Sequence, residues 1–178
     1  MDFIEDFIPH AEAIAALFEA TFTASEGAGE GALIGDLVRR LMTGTPPDAL
    51  RVVTAWDDGV LAGAILFTRL AFDDTRTVFM LSPVAVATDR QGEGIGQALI
   101  THGLDLLRGE GVDIAVTYGD PAFYGRVGFK PVTEATIPAP HKLQHPEGWL
   151  GQSLRDAPLT PLKGPSACVA GFDDPRLW

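Results

Sequence analysis

Residues 90–96 read Arg-Gln-Gly-Glu-Gly-Ile-Gly and indicate how the chain is built. An apolar, strand-like run precedes them at residues 80–86, and a helical pattern follows from Ile95. Glycines that alternate with other residues between a strand and a helix leave the backbone uncovered by side chains. Backbone amides at a helix start can then close on a phosphate group, aided by the positive end of the helix dipole. This stretch therefore predicts a site for a cofactor that contains a pyrophosphate.

The composition restricts the class of protein. The chain has 178 residues, which suits one domain with a full core, so we expect a single domain over residues 1–178. The formal net charge of −11 argues against nucleic acid or an anionic membrane as a partner, because both require clustered Lys and Arg. The sequence contains no long apolar span and no basic start followed by an apolar run. We therefore expect neither a membrane segment nor a signal peptide.

The cysteine and the histidines do not suggest a metal site. Cys168 is the single cysteine and cannot form an internal disulfide, which fits a reducing cytoplasm. We interpret it as a buried strand residue, since nothing near it in the sequence resembles an activating base. His141 and His145 are four residues apart, but Pro140 and Pro146 flank them and exclude a helical metal pair. We expect no metal.

Hydrophobic spacing predicts the order of elements. Two amphipathic helices, at about residues 12–22 and 32–42, are separated by a Gly/Glu-rich loop at residues 25–31. Strands are predicted at residues 50–56, 60–70, 77–86, 112–118, 129–132, 149–154 and 166–172. The first three form a meander with a hairpin turn at Asp-Asp-Gly, residues 57–59. Residues 77–118 form a strand–helix–strand unit with parallel strands.

Several interpretations of the glycine stretch compete. A dinucleotide-binding fold requires a glycine where Gln97 stands, although Asp113 lies at the spacing of its ribose-binding acid. A nucleotide-triphosphate loop requires Gly-Lys-Ser or Gly-Lys-Thr, and the chain has neither. A helix start with convenient glycines and no ligand is the remaining alternative.

A second signature lies downstream, at residues 120–129, which read Asp-Pro-Ala-Phe-Tyr-Gly-Arg-Val-Gly-Phe. Together with residues 84–86 and 91–96, it closely resembles the GNAT superfamily, the Gcn5-related N-acetyltransferases. Residues 91–96 match that family's Gln/Arg-x-x-Gly-x-Gly/Ala motif for acetyl-CoA, and Tyr124 with Gly128-Phe129 matches its tyrosine and Gly-Phe pair. The residues of these signatures are most similar to those of a subgroup of predicted bacterial acetyltransferases that resemble YhbS. The match is most specific over residues 81–129.

The resemblance implies an α/β fold with a mixed, splayed central sheet. Its parts are an antiparallel meander, a strand–helix–strand CoA-binding unit at about residues 77–132, and a C-terminal hairpin within residues 133–178. In the family, the pantetheine arm lies between the splayed strands. Pro83 has no amide proton and interrupts the ladder, so the backbone groups of Val84 and Val86 are expected to be free for pantetheine.

The resemblance also implies which residues bind the cofactor. The pyrophosphate is expected on the amides of Gly92, Gly94, Ile95 and Gly96, with Gln91 at the start of the loop. Arg126 is expected to reach the adenosine phosphates, and Arg90 and Lys130 are alternatives for the same task.

The implied activity is acetyl-CoA-dependent N-acetyl transfer to a primary amine of a small molecule or a protein. Tyr124 is the expected general acid for the departing CoA thiolate. Glu26 and Glu30 are candidates for the base, directly or through water, and Asp120 is a base or a helix cap. Thr117 stands where many members of the family carry asparagine, which puts CoA contacts on that side in doubt.

Two other functions are open at this point. One is a regulatory module of the same fold that binds acyl-CoA without turnover, and the other is a dinucleotide-dependent oxidoreductase. The identity of the acceptor is open too, although the acidic charge balance favours a cation. Similar proteins often form homodimers, and we expect a bacterial, cytoplasmic enzyme.

Overall fold

The computed structural model describes all 178 residues, Met1–Trp178. The helices are α1 (Ala11–Glu26), α2 (Ala28–Gly44), α3 (Ile95–Gly109) and the short α4 (Pro121–Tyr124). The strands are β1 (Asp2–Ile4), β2 (Leu50–Asp57), β3 (Val60–Leu70), β4 (Val78–Val86), β5 (Ile114–Tyr118), β6 (Lys130–Pro131) and β7 (Trp149–Ser153). No helix is both long enough and apolar enough to cross a membrane.

The seven strands form one mixed sheet in the order β1-β2-β3-β4-β5-β7-β6. Strands β4 and β5 are parallel, whereas β7 is antiparallel to both β5 and β6. Strands β2 and β3 are joined by Asp58 and Gly59 with φ of 48° and 78°, the left-handed pair that a two-residue hairpin requires. The predicted α/β class, meander, parallel unit and late antiparallel pair are confirmed.

The chain divides into two compact units. The first comprises residues 1–67 and 83–103, and the second comprises residues 68–82 and 104–178. In the first unit, Ile14 and Phe18 of α1 and Leu41 of α2 are fully buried. In the second, Trp149 of β7 is fully buried and donates from Nε1 to the Ile137 carbonyl at 2.8 Å. The single-domain organisation stays a prediction.

The predicted loop between the first two helices is wrong. Only Gly27 separates α1 from α2, and its φ of 98° makes the turn that other residues rarely adopt. Gly31 of α2 packs so closely on α1 that a Cβ there would overlap the Thr23 side chain. The helices therefore run on into the segment that looked like loop. Glu26 is the last residue of α1, and Glu30 lies in the first turn of α2.

The parallel pairing of β4 with β5 is short. It runs from Val78 with Ile114 to Leu81 with Thr117, while β4 itself continues to Val86. The pairing therefore stops two residues before Pro83, in agreement with the prediction that this proline interrupts the ladder.

The C-terminal region departs from the prediction in one element. Residues 166–172 do not form a strand, because only Ala167 bridges to Ala71, and a 3-10 turn follows at Ala170–Phe172. Gly164 with φ of 79° breaks the extended backbone just before this segment. The sequence also missed β1, which is only three residues long and pairs with β2.

We predict that Gly103→Ala destabilises the protein and Gly109→Ala, on the same helix, does not. A Cβ at Gly103 would overlap the ring of buried Phe67, whereas one at Gly109 meets nothing within 4 Å. Overpacking of this kind costs about 1–3 kcal/mol. Urea denaturation measures both variants, and we expect Gly109→Ala to stay within about 0.5 kcal/mol of the parent. Equal stability of the two variants would contradict the packing described for α3.

Candidate functional site

The glycine loop, residues 91–96, leaves β4 and enters α3. Gly92 and Gly94 have φ of 83° and 82°, in the left-handed region. A Cβ on either glycine would meet nothing within 4 Å. Glycine is therefore required by the backbone conformation and not by crowding, and the outer side of the loop is open to a ligand.

The backbone amides at the start of α3 have no carbonyl partner in the helix. The first such bond runs from the Ala98 amide to the Gly94 carbonyl at 3.0 Å. Ile95 is 5% exposed, which fixes the first turn against the core. The first turn of α3 contains no acidic residue that would neutralise the positive end of the helix dipole. This arrangement suits an anion.

Arg90 anchors the glycine loop. Its Nε donates to Glu93 Oε2 at 2.9 Å, and its Nη2 donates to Asp57 Oδ2 at 3.0 Å. Hydrogen bonds with Glu93 and Asp57 raise the pKa of Arg90 above its ordinary value. The guanidinium therefore ties the loop to the end of β2 and balances the Glu93 carboxylate. Sequence analysis missed Asp57, which it assigned only to the hairpin turn.

Some backbone groups at the end of β4, beyond Pro83, already have hydrogen-bond partners within the chain. The Ala87 amide donates to the Ala62 carbonyl of β3 at 2.9 Å. Because backbone groups alternate along a strand, Val84 and Val86 present theirs to the opposite edge. The Val86 carbonyl accepts from Thr21 Oγ1 at 3.3 Å and from Gln91 Nε2 at 3.2 Å. It is thus not free, contrary to the prediction, because two side chains that the sequence did not place there reach it.

The candidate bases lie at the junction of α1 and α2. Glu26 is exposed and Glu30 is half-buried. Neither carboxylate makes a hydrogen bond or an ion pair in the structure. The Thr21 bond to Val86 brings the last turns of α1 to the end of β4, and Glu26 lies five residues beyond Thr21. Their role as base stays a prediction.

Tyr124 is held by the short helix α4. The Asp120 carboxylate caps this helix by accepting from the Ala122 amide at 2.8 Å. A helix cap is one of the two roles predicted for Asp120. The Tyr124 ring meets Phe123 and Phe129 edge-to-face, with ring centroids 5.0 and 5.9 Å apart. Gly128 has φ of 93° and lets the Phe129 amide return to the Tyr124 carbonyl at 3.2 Å. The Gly-Phe pair therefore fixes the tyrosine.

The environment of Tyr124 keeps its phenol protonated. Burial raises the pKa of Tyr124 above its ordinary value, a hydrogen bond with the Thr117 side chain opposes this, and the charge of Asp120 adds to it. The buried Thr117 hydroxyl donates to the Leu81 carbonyl at 3.0 Å. Thr117 thus connects Tyr124 with β4. In the sequence, this position was notable only because threonine stands where many members of the family carry asparagine.

Gly119 makes room for the tyrosine ring. A Cβ at Gly119 would lie 2.6 Å from Tyr124 Cε2. A glycine directly after a strand and before Asp-Pro is a signal of close approach that sequence analysis did not use.

The predicted phosphate-binding cations are exposed. Arg126 lies in the turn after α4, and Lys130 begins β6. The Arg126 guanidinium makes no hydrogen bond or ion pair within the chain, so it is available to a ligand. The structure gathers the cofactor candidates into two groups, one around the glycine loop in the first unit and one around Tyr124 in the second.

Comparison with known proteins defines the class. A model of the Acetyltransferase (GNAT) family matches residues 11–129, which is more than half of the 178 residues. The chain therefore belongs to the GNAT acetyltransferase family, as the two sequence signatures indicated.

Individual relatives agree with this assignment. The uncharacterized N-acetyltransferase YjhQ of Escherichia coli K12 is 34% identical over 140 residues, which cover 75% of this chain and 77% of YjhQ. YhbS of the same organism is 36% identical over 83 residues, which cover 46% of this chain and 49% of YhbS.

Solved structures show the same fold. A GNAT family acetyltransferase from Brucella melitensis, in complex with acetyl-CoA, has a TM-score of 0.75 at 29% identity. The match covers 97% of each chain. Escherichia coli YhbS, in complex with CoA, has a TM-score of 0.78 at 24% identity over 97% of this chain and 92% of that one. The predicted splayed GNAT-like sheet is confirmed at the level of the fold.

We predict that Thr117→Val destabilises the protein by about 1–3 kcal/mol. The Thr117 hydroxyl is fully buried and donates to the Leu81 carbonyl at 3.0 Å, and valine keeps the shape of the side chain but removes this donor. Urea denaturation measures the loss. Unchanged stability of Thr117→Val would contradict the assigned hydrogen bond.

Proposed function

We propose that the protein transfers the acetyl group of acetyl-CoA to a primary amine of a small molecule or a protein. The observation that carries this proposal is the pair of left-handed glycines, Gly92 and Gly94, at the start of a helix whose first amides have no helical partner. Membership of the GNAT family supports the reaction class.

The diphosphate of CoA would bind the amides of Gly92, Gly94, Ile95 and Gly96. The net charge of −11 would repel a polyanion overall, so backbone dipoles must supply much of the local attraction. Gln91 holds the Val86 carbonyl and would release it or share it when the pantetheine arm pairs with Val84 and Val86. Arg126 would reach the adenosine phosphates. The Brucella melitensis relative was solved with acetyl-CoA, which supports the choice of this cofactor.

The chemical step would be direct attack of the neutral amine on the thioester carbonyl carbon. The new C–N bond forms as the carbonyl electrons move onto oxygen, and an amide of β4 near Val84–Val86 would stabilise that charge. The C–S bond then breaks, and the departing thiolate takes the phenolic proton of Tyr124. Burial suits this role, because it keeps the phenol protonated at neutral pH.

The proton that the amine loses would go to Glu26 or Glu30, directly or through water. Both carboxylates are without a partner in the chain, so either is available as an acceptor. The acidic surface would favour a cationic amine, whether a small molecule or a peptide. A single cysteine fits action in a reducing cytoplasm, and the family resemblance suggests a homodimer.

Replacement of Tyr124 by Phe tests the proposal. We expect kcat to fall about 10²–10⁴-fold, because the acid is lost, while the Kd for CoA stays nearly constant. In the parent, a rate that needs the protonated phenol falls only as the pH rises through the Tyr124 pKa, which lies above its ordinary value of about 10. That alkaline fall should be absent from the residual activity of Tyr124→Phe.

Tyr118→Phe is the matched control. Tyr118 is the other tyrosine, and its hydroxyl accepts from the His145 amide at 2.7 Å. Its loss should lower stability by about 1 kcal/mol without removing the acid. Free-thiol release from acetyl-CoA against a panel of amines measures both variants. CoA binding without thiol release for any amine would favour a module that binds acyl-CoA without turnover, and unchanged kcat in Tyr124→Phe would exclude the phenol as the acid.

A further inference from the structure

Three side chains with metal-binding atoms lie together in the second unit, apart from the residues assigned to acetyl transfer. They are His141, Cys168 and Asp173, and their ligand atoms all lie within 4.8 Å of one another. His141 Nε2 is 2.8 Å from Asp173 Oδ1. We propose that this cluster binds one Zn²⁺ ion through a thiolate, an imidazole and a carboxylate, with water as the fourth ligand.

The distances fit such a site after small movements. Zinc bonds of about 2.0–2.3 Å in a tetrahedron place ligand atoms roughly 3.3–3.6 Å apart. The His141 and Asp173 atoms would move apart by about half an ångström, and the widest pair would close by about 1 Å. The Asp173 side chain is 68% exposed and free to adjust. Binding would release the thiol proton, and Zn²⁺ would replace the hydrogen bond between His141 Nε2 and Asp173.

The set of donors favours Zn²⁺ over Mg²⁺. Sulfur, nitrogen and carboxylate oxygen together suit a borderline ion such as Zn²⁺, whereas Mg²⁺ prefers oxygen alone.

The ion would join two irregular segments of the chain. His141 lies between β6 and β7, while Cys168 and Asp173 follow β7. Apart from the single bridge between Ala167 and Ala71, neither segment is part of a strand or a long helix. The ring centroid of His141 is 6.2 Å from that of Trp178, which is 3% exposed and stacks on Tyr118 of β5 at 6.4 Å. A bound ion would therefore strengthen the packing of the C-terminal segment on β5.

Alkylation of Cys168 tests the proposal on the unmodified protein. Cys168 is the only cysteine, so the rate of reaction with iodoacetamide reports on this site alone. We expect one equivalent of Zn²⁺ to slow alkylation at least tenfold and an equal concentration of Mg²⁺ to have no effect. An alkylation rate that Zn²⁺ leaves unchanged would overturn the proposal.

Ligand variants provide the second arm. His141→Gln and Asp173→Asn should weaken the protection by Zn²⁺ roughly 10–100-fold in Zn²⁺ concentration. His145→Gln is the control, because His145 is exposed and contacts Glu147 instead of the cluster. Protection that survives His141→Gln, or that His145→Gln removes equally, would also overturn the proposal. An unfolded variant is recognised because its cysteine reacts as fast as that of the protein in urea.

Discussion

The left-handed backbone at Gly92 and Gly94 is the constraint on which the proposed site depends. These two φ angles turn the chain out of β4 and into α3 while the first amides of the helix stay uncovered. Any other residue would strain the backbone here by about 1–2 kcal/mol. Ile95 fixes the turn from inside by burial, and Arg90 fixes it from outside through Asp57 and Glu93.

A second constraint acts on Tyr124. Asp120 caps a helix of a single turn, Gly128 returns the chain, and Phe129 supports the ring. A helix this short has little stability of its own, so its cap and its packing must hold it. The same burial that holds the ring raises the phenol pKa. Position and protonation state of the proposed acid therefore have one cause.

Much of this could be predicted from the sequence where local rules suffice. The alternating glycines, the Asp-Asp-Gly turn and the Asp-Pro helix start each act over a few residues, and each was located correctly. Contacts between distant residues were missed. The Arg90–Asp57 pair spans 33 residues, and the Thr21 bond to the Val86 carbonyl spans 65. Polar pairs of this kind leave no periodicity in a single sequence.

The segment between the first two helices shows a different failure. Three glycines and two glutamates in residues 25–31 indicated a loop, because glycine disfavours helices. Close packing of α1 on α2 overrides that preference, since Gly31 lets the two helices touch. The candidate bases therefore lie on helix ends, where their backbone is more rigid than a loop would be. The C-terminal segment at residues 166–172 was wrongly predicted as a strand from its apolar residues, which pack without forming one.

The most direct measurement compares the binding of CoA and of pantetheine, which lacks the diphosphate, to Gly94→Ala. Gly109→Ala serves as the control, since it adds the same methyl group to α3 without a left-handed φ. If the loop amides hold the diphosphate, Gly94→Ala weakens CoA binding about tenfold through backbone strain and leaves pantetheine binding unchanged. Equal losses for both ligands, or no loss for CoA, would contradict the account.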